Sequence, residues 1–328
     1  MKNQKKLTTN SYKKINGQLL GVDILSLDQF DTPSIQKIFE TTSQMAVIAK
    51  HAKPSDILKG KIVTLLFYEP SSRTFGSFAA AVKQLGGQTV EIVDPTNFSS
   101  VSKGETFEDT IRVFEAYCDA IVLRHPEVGA AKKAADTADF VPIINAGDGQ
   151  GEHPTQALLD MYTIFEKHKK LNNLTAVLAG DMLYGRTVKS LIRGLALYPK
   201  NTLYLLSPRE LRLPREDFAQ FSERGIKLIE IENEKDMPKN ADFWYWTRVQ
   251  KERFKSMVDY EKVKNKFVVT AQLLKERAGK ETLIMHPLPR VGEILPEVDE
   301  DKRAVYLRSQ IRNGMYIRMA LLKMVLGR

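Results

Sequence analysis

Short runs of aliphatic and β-branched residues recur along the chain at 62–68, 89–93, 120–123 and 141–145, and again at 175–180, 202–206, 227–231, 243–247 and 283–285. Runs of this length and composition predict strands. Between them lie longer stretches of helical period, such as the one after residue 74 that sets Phe75, Phe78, Ala79, Val82 and Leu85 on one face and ends at Gly86-Gly87. Strands alternating with helices favour mostly parallel sheets covered on both faces. The expected fold class is therefore α/β, with two doubly wound domains, each built on a mostly parallel sheet, joined by interdomain helices.

Gly147, Gly149 and Gly151 interrupt the alternation just before a helix predicted over 154–169, with Pro154 at its start. The domain break is placed there, which gives a first domain over 1–152 and a second over 153–306. Near the end, Ile317, Ala320, Leu321, Met324 and Val325 fall at helical spacing within 310–326, so this helix should pack on one of the domains.

Length agrees with that division, because 328 residues exceed the size at which a single core usually stops growing. Two domains imply a cleft. With 43% hydrophobic and 27% charged residues, only the first dozen or so positions read as disordered. No stretch approaches the ~20 apolar residues that span a bilayer, and no signal-peptide apolar run follows the basic residues 1–14. The expectation is a soluble, cytoplasmic protein. Cys118 is the single cysteine and lies in the apolar stretch 113–123, so it reads as a buried thiol. The formal charge of +9 admits nucleic acid, acidic membrane surfaces and small anions as partners without choosing among them.

Ligands of open α/β sheets bind beyond the carboxyl ends of the strands, so the residues that follow each predicted strand matter most. After 62–68 come Glu69, Pro70 and then Ser71-Ser72-Arg73-Thr74, which opens a helix. Hydroxyls, free backbone N–H groups and a guanidinium at a helix start suit a phosphate. The same tetrad also reads as an N-cap serine beside a surface arginine. Later strands deliver Arg124-His125-Pro126, then His153-Pro154-Thr155-Gln156 after a glycine turn, then Asp181 with Gly185-Arg186-Thr187. The last two deliver Arg248-Val249-Gln250, with Lys251 and Arg253 close behind, and His286-Pro287-Leu288-Pro289-Arg290. Together these residues describe a site that gathers several negative charges.

No phosphate-loop G-x-x-x-x-G-K-[ST] occurs, and no G-x-G-x-x-G follows a strand. The histidines and the cysteine show no metal-ligand spacing, so neither metal nor cofactor is expected. Asp148 and Asp181 lie among turn glycines and read as loop-fixing carboxylates. A cationic site of this kind suits transfer of an activated group between anions, where positioning and charge stabilisation supply most of the rate.

In order and spacing, these motifs resemble the aspartate carbamoyltransferases from about residue 25 to the C-terminus. The resemblance implies an N-terminal carbamoyl-phosphate domain, a central aspartate domain and a C-terminal helix, 307–328, that returns to the first domain. It also implies a homotrimer with shared active sites, with regulatory chains an open matter. The implied reaction carries the carbamoyl group of carbamoyl phosphate to L-aspartate, the committed step of pyrimidine biosynthesis. Carried onto matching positions, Ser71, Ser72, Arg73, Thr74 and Arg124 would hold the phosphate. Thr74, Arg124 and His153 would polarise the carbonyl, Gln156 would bind the carbamoyl amide, and Leu288 and Pro289 would lie beside it. Arg186, Arg248 and Gln250 would take the aspartate carboxylates. The loop 97–104 would bring Ser99 and Lys103 from an adjacent subunit. His153, at a helix start among arginines, is expected to be neutral.

Two places depart from the family pattern. Ser72 stands where the tetrad commonly has threonine, which keeps the hydroxyl, and Ser102 stands where well-known bacterial members carry a second lysine. Weaker aspartate binding follows if a cation at that place helps hold it. Two rival readings remain. One is an ornithine carbamoyltransferase, against which stands the lack of a cysteine in His286-Pro287-Leu288-Pro289. The other is a non-catalytic anion- or nucleic-acid-binding relative, against which stands the placement of the cations at strand ends rather than in a stripe with aromatics.

Overall fold

The computed structural model describes residues 14–51, 55–98, 100–251, 254, 256–264 and 266–327. Residues 1–13 of the basic tail, Ser99 and Arg253 lie outside them. The chain divides into two compact units, Met1–Leu159 with Asn313–Arg328, and Asp160–Arg312.

The first unit opens with α1 (Thr32–Lys50), then β1 (Ile62–Phe67), α2 (Ser72–Gln84), β2 (Gln88–Val93), the single turn α3 (Pro95–Phe98) and α4 (Phe107–Glu115). It continues with β3 (Ala120–His125), α5 (Ala130–Thr137) and β4 (Ile143–Asp148). The strands form one parallel sheet in the order β2-β1-β3-β4. β1 and β3 are buried along nearly their whole length because helices cover both faces, and this is why they read as unbroken apolar runs. Beneath them Leu66, Ile121, Leu123 and Ile143 pack against Ala131, Ala134 and Ala135 of α5, whose small side chains let the helix lie close to the sheet. The outer edge of β4 is not left open. Ile24 bridges Ile144 in parallel, adding a short piece of chain alongside.

α6 (Pro154–His168) begins in the first unit, and its residues from Asp160 onward belong to the second. The second unit then runs β5 (Thr175–Ala179), α7 (Arg186–Leu195), β6 (Thr202–Leu206), α8 (Arg215–Glu223), β7 (Lys227–Ile231) and β8 (Phe243–Trp246). It ends with α9 (Met257–Val263), α10 (Ala271–Arg277) and β9 (Leu283–Met285). Its sheet is parallel, in the order β7-β6-β5-β8-β9. In β8 the two-residue alternation sends Trp244 and Trp246 into a core with Val177, Leu206, Ile284 and Tyr306, while Tyr245, on the other face, donates to Asp160 Oδ2 at 2.8 Å.

α11 (Ser309–Leu326) starts in the second unit and, from Asn313, belongs to the first. Burial there is wider than one face: Met319 and Leu322 are enclosed along with Ile317, Ala320, Leu321 and Val325, whereas Met324 is half-exposed. The backbone N–H of Gly21 donates to Val325 O at 3.0 Å within the same unit.

The expected α/β class with two parallel sheets is borne out. Two strands run further than their apolar runs predict. β3 extends through Arg124 to His125, and β4 starts at Ile143 and runs on past Asn145 to Asp148; both polar residues stay buried because each has hydrogen-bond partners. In each sheet the chain leaves one strand to one side and then returns to its other side, between β1 and β3 and between β5 and β8. At those two points ligands of such sheets bind.

Candidate active site

In the first unit, α2 starts directly beyond β1. Ser71 occupies its N-cap position, but the hydroxyl makes no capping hydrogen bond, and only the carbonyl joins the helix, accepting from Phe75 N at 2.9 Å. Capping therefore does not account for the hydroxyl. Ser72 and Arg73 are exposed on the first turn and Thr74 is buried. A hydroxyl-rich first turn of a thirteen-residue helix places backbone N–H groups and the positive end of its dipole at the β1 switch point.

Arg124 lies on the neighbouring strand at the same level and is 8% exposed. Its Nη2 pairs with Glu69 Oε2 at 2.7 Å, and Nη1 donates to Ala146 O at 3.3 Å, so the guanidinium ties together the ends of three strands. A buried cation needs such a partner, since removal from water costs several kcal/mol per ion, on the order set by desolvation. His125 turns elsewhere. Its ring packs against Tyr68 and Phe107 at 4.6 and 5.2 Å between centroids, its Nδ1 accepts from Glu127 N at 3.1 Å, and burial pushes its pKa below the ordinary value.

The turn after β4 is shaped by Asp148. Oδ1 accepts from Glu152 N at 2.7 Å and from Asn145 Nδ2 at 3.3 Å, and Oδ2 accepts from Gly129 N at 3.0 Å. Gly149 has φ +51°, and a Cβ there would lie 2.4 Å from Pro126 O, so only glycine fits. The turn delivers His153, buried at the mouth of α6, where its carbonyl accepts from Gln156 N at 3.0 Å and Ala157 N at 3.1 Å. Gln156 is half-buried one turn further on. Lys103 is exposed at the end of the 3-10 turn Ser100–Lys103. Cys118 is half-buried, donates to Phe114 O at 3.1 Å and has its pKa raised by burial, as befits an unreactive thiol.

In the second unit, the loops after β5 and β8 press together. A Cβ on Gly180, at φ +109°, would lie 2.2 Å from Thr247 O. Asp181 joins the two loops: its N–H donates to Thr247 Oγ1 at 3.2 Å, and its carboxylate accepts from Tyr184 N at 2.8 Å and Gln250 N at 3.4 Å. Burial raises its pKa above the ordinary carboxylate value, and those backbone donors offset only part of the rise. The result places Arg186 at the start of α7 and, on the loop after β8, Arg248 and Gln250, all three half-buried. Gln250 Nε2 also donates to Tyr184 O at 3.0 Å.

Beyond β9, His286 is 2% exposed. Its Nδ1 accepts from Leu288 N at 2.7 Å, and its Nε2 lies 2.7 Å from Glu293 Oε1. The ring anchors a tight turn in which Leu288 has φ +55° and the Leu288-Pro289 peptide is cis. The backbone N–H of His286 donates to Gln310 Oε1 at 3.1 Å, Gln310 Nε2 donates to Asp160 Oδ1 at 2.7 Å, and Tyr245 completes the chain of contacts on Asp160. Pro289 is exposed, and Arg290 is engaged with Asp299 through two bonds of 2.5 Å. Sequence reasoning missed Asp160, Gln310, Tyr245 and Glu293 as supports of this turn. Two lie inside helices and one inside a strand with no motif around them.

Residues 22–166 match the family model of the aspartate/ornithine carbamoyltransferase carbamoyl-P binding domain, and residues 172–325 that of the Asp/Orn binding domain. The chain is 47% identical over 304 residues to the aspartate carbamoyltransferase catalytic subunit of Methanococcoides burtonii, covering 93% of this chain and 97% of that protein. It is 46% identical over 312 residues to the multifunctional protein pyr1-3 of Dictyostelium discoideum, covering 95% of this chain but 14% of that much longer protein. Among solved structures, aspartate transcarbamoylase from Trypanosoma cruzi in complex with carbamoyl phosphate and aspartate matches with a TM-score of 0.87 and 38% identity, over 94% of this chain and 98% of that one.

Proposed function

The chain belongs to the aspartate/ornithine carbamoyltransferase family, and on that premise we propose that it transfers the carbamoyl group of carbamoyl phosphate to the amino group of L-aspartate, giving N-carbamoyl-L-aspartate and phosphate. The observation that carries the choice of acceptor is the set Arg186, Arg248 and Gln250 at the β5/β8 switch point. Two guanidiniums and an amide suit two carboxylates. Ornithine would bring a cation instead, and Asp181, the carboxylate beside them, is occupied by the N–H groups of Tyr184 and Gln250.

In this reading the first unit binds carbamoyl phosphate, with Ser71, Ser72, Arg73, Thr74 and Arg124 on the phosphate and Gln156 on the carbamoyl amide. The neutral amine of aspartate attacks the carbamoyl carbon, a C–N bond forms, the C–O bond to phosphate breaks, and phosphate leaves. The amine's proton has the departing phosphate as an acceptor within the reaction itself. Arg124, Thr74 and a neutral His153 stabilise the oxyanion of the tetrahedral intermediate, which is where fixed donors accelerate most. The Leu288 carbonyl faces the attacking amine, and Pro289 lies beside it. Ser99, outside the described residues, and Lys103 reach the site from a neighbouring subunit of a homotrimer. A cytoplasmic enzyme of pyrimidine synthesis, with no nucleic-acid or membrane partner, completes the proposal. Among the described residues no helix is long and apolar enough to cross a membrane.

The test is product formation by the purified protein given carbamoyl phosphate with either L-aspartate or L-ornithine. Turnover with aspartate alone is expected; turnover with ornithine alone would transfer the assignment to the other branch of the family.

A further inference from the structure

Glu152, the residue before His153, is fastened to a distant part of the first unit. Its carboxylate accepts from Ser26 Oγ at 2.6 Å and from Leu27 N at 3.0 Å, 126 and 125 positions away along the chain. That segment is itself held firmly. Ser26 Oγ accepts from Asp28 N at 3.0 Å, and Gln29 Oε1 accepts from Leu25 N at 2.6 Å and Ser26 N at 3.0 Å. The segment is also joined to β4, through Ile24 N to Ile143 O at 2.9 Å, Asn145 N to Ile24 O at 2.8 Å and Asn145 Nδ2 to Leu25 O at 3.0 Å. On its other side, the amide of Glu152 is held by Asp148 Oδ1 at 2.7 Å.

The backbone immediately ahead of His153 is thus fixed by its amide to the β4 turn and by its side chain to residues 26 and 27, while the carbonyl of His153 is engaged by α6. We propose that Glu152 is a positioning residue for His153, acting through this tether to Ser26 and Leu27. Charge-assisted bonds from a hydroxyl and a backbone N–H define the place of a carboxylate far better than water does. The inference rests on His153 acting in the transfer, because a donor aimed at a developing oxyanion loses its effect when its base shifts.

The experiment combines histidine-selective NMR with kinetics. In Glu152→Ala the imidazole signals of His153, assigned with His153→Ala, should move or broaden while those of His51, His168 and His286 stay in place. The kcat should fall about 10- to 100-fold, the scale of a small misplacement, with both KM values changed no more than about twofold. Glu152→Gln, which keeps one acceptor oxygen, should recover most of the loss, and in a His153→Ala background Glu152→Ala should cost nothing further. Unmoved His153 signals, or the same loss of kcat with and without His153, would overturn the proposal. Should Glu152→Ala not fold, Ser26→Ala is judged by the same signals and the same double variant. A wild-type protein that does not turn over would count against the enzymatic reading alone, since the NMR comparison decides the tether independently.

Discussion

The backbone N–H of Leu288 points at Nδ1 of His286 from 2.7 Å, which leaves that nitrogen as an acceptor and makes Nε2 the donor to Glu293. The ring is therefore neutral in the native turn, and burial lowers its pKa from the ordinary 6.5 despite the neighbouring carboxylate. For Glu293, burial is the largest influence and acts upward, but His286 and the backbone N–H groups of Val291 and Glu293 together outweigh it and hold the pKa below the ordinary 4.5.

Both shifts act on stability in the same direction. The unfolded chain takes up a proton on residue 286 near pH 6.5 while the folded chain resists it, so stability is full above that pH and declines below it. Glu293 adds a further loss below about pH 4.5. Denaturant unfolding from pH 7.5 to 5 should show a falling free energy, by at most about 1.4 kcal/mol per pH unit for one proton. His286→Gln should flatten that slope while lowering stability at every pH.

Arg248→Ala should raise KM for aspartate by about 100-fold, the loss of a charge-assisted pair, with KM for carbamoyl phosphate changed little. Initial rates with each substrate varied in turn provide the check. Equal effects on the two would contradict the role assigned to Arg248.

Sites shared between subunits predict complementation. Lys103→Ala and Arg73→Ala proteins should each be inactive, and mixed trimers refolded from both should recover part of the wild-type rate. Mass spectrometry verifies the mixing, and no recovery in verified mixtures argues against sharing.

A neutral His153 predicts imidazole nitrogen shifts of the uncharged ring at pH 8 and at pH 7. An imidazolium signal at pH 8 would remove it as a hydrogen-bond donor of the proposed kind.

Asp160 accepts from Tyr245 and Gln310 in a fully buried place. Asp160→Ala would strand a phenol and an amide without their acceptor, and a cost of about 2–4 kcal/mol is expected. Thermal and urea unfolding measure it. Because Gln310 also holds His286 N, the same variant should raise KM for aspartate.

Much of the architecture was legible because parallel strands covered on both faces must be apolar throughout, and Val63, Leu65, Val122 and Leu178 report that directly. The candidate residues were legible for a related reason, since side chains directly beyond such strands stand where ligands bind, although some of them, Asp181 and His286 included, fix turns instead. What hid was polar burial. Arg124 and Asp148 continue strands that hydropathy ends too early, and the pairing of Ser26 with Glu152 spans 126 positions that no local pattern connects. Asp160 and Gln310 are likewise ordinary helical residues until their partners are seen.

The assignment of α11 also bears on how the chain is made. The second unit is a continuous stretch, Asp160–Arg312, whereas the first lacks Asn313–Arg328 until the whole of the second has been made. Growing chains usually fold from the amino end. Here the amino-terminal sheet emerges from the ribosome first but must wait, with the surface that Ile317, Ala320, Leu321 and Val325 will cover still open, until every residue of its neighbour has been translated. Chaperone capture of nascent chains should therefore persist past residue 312.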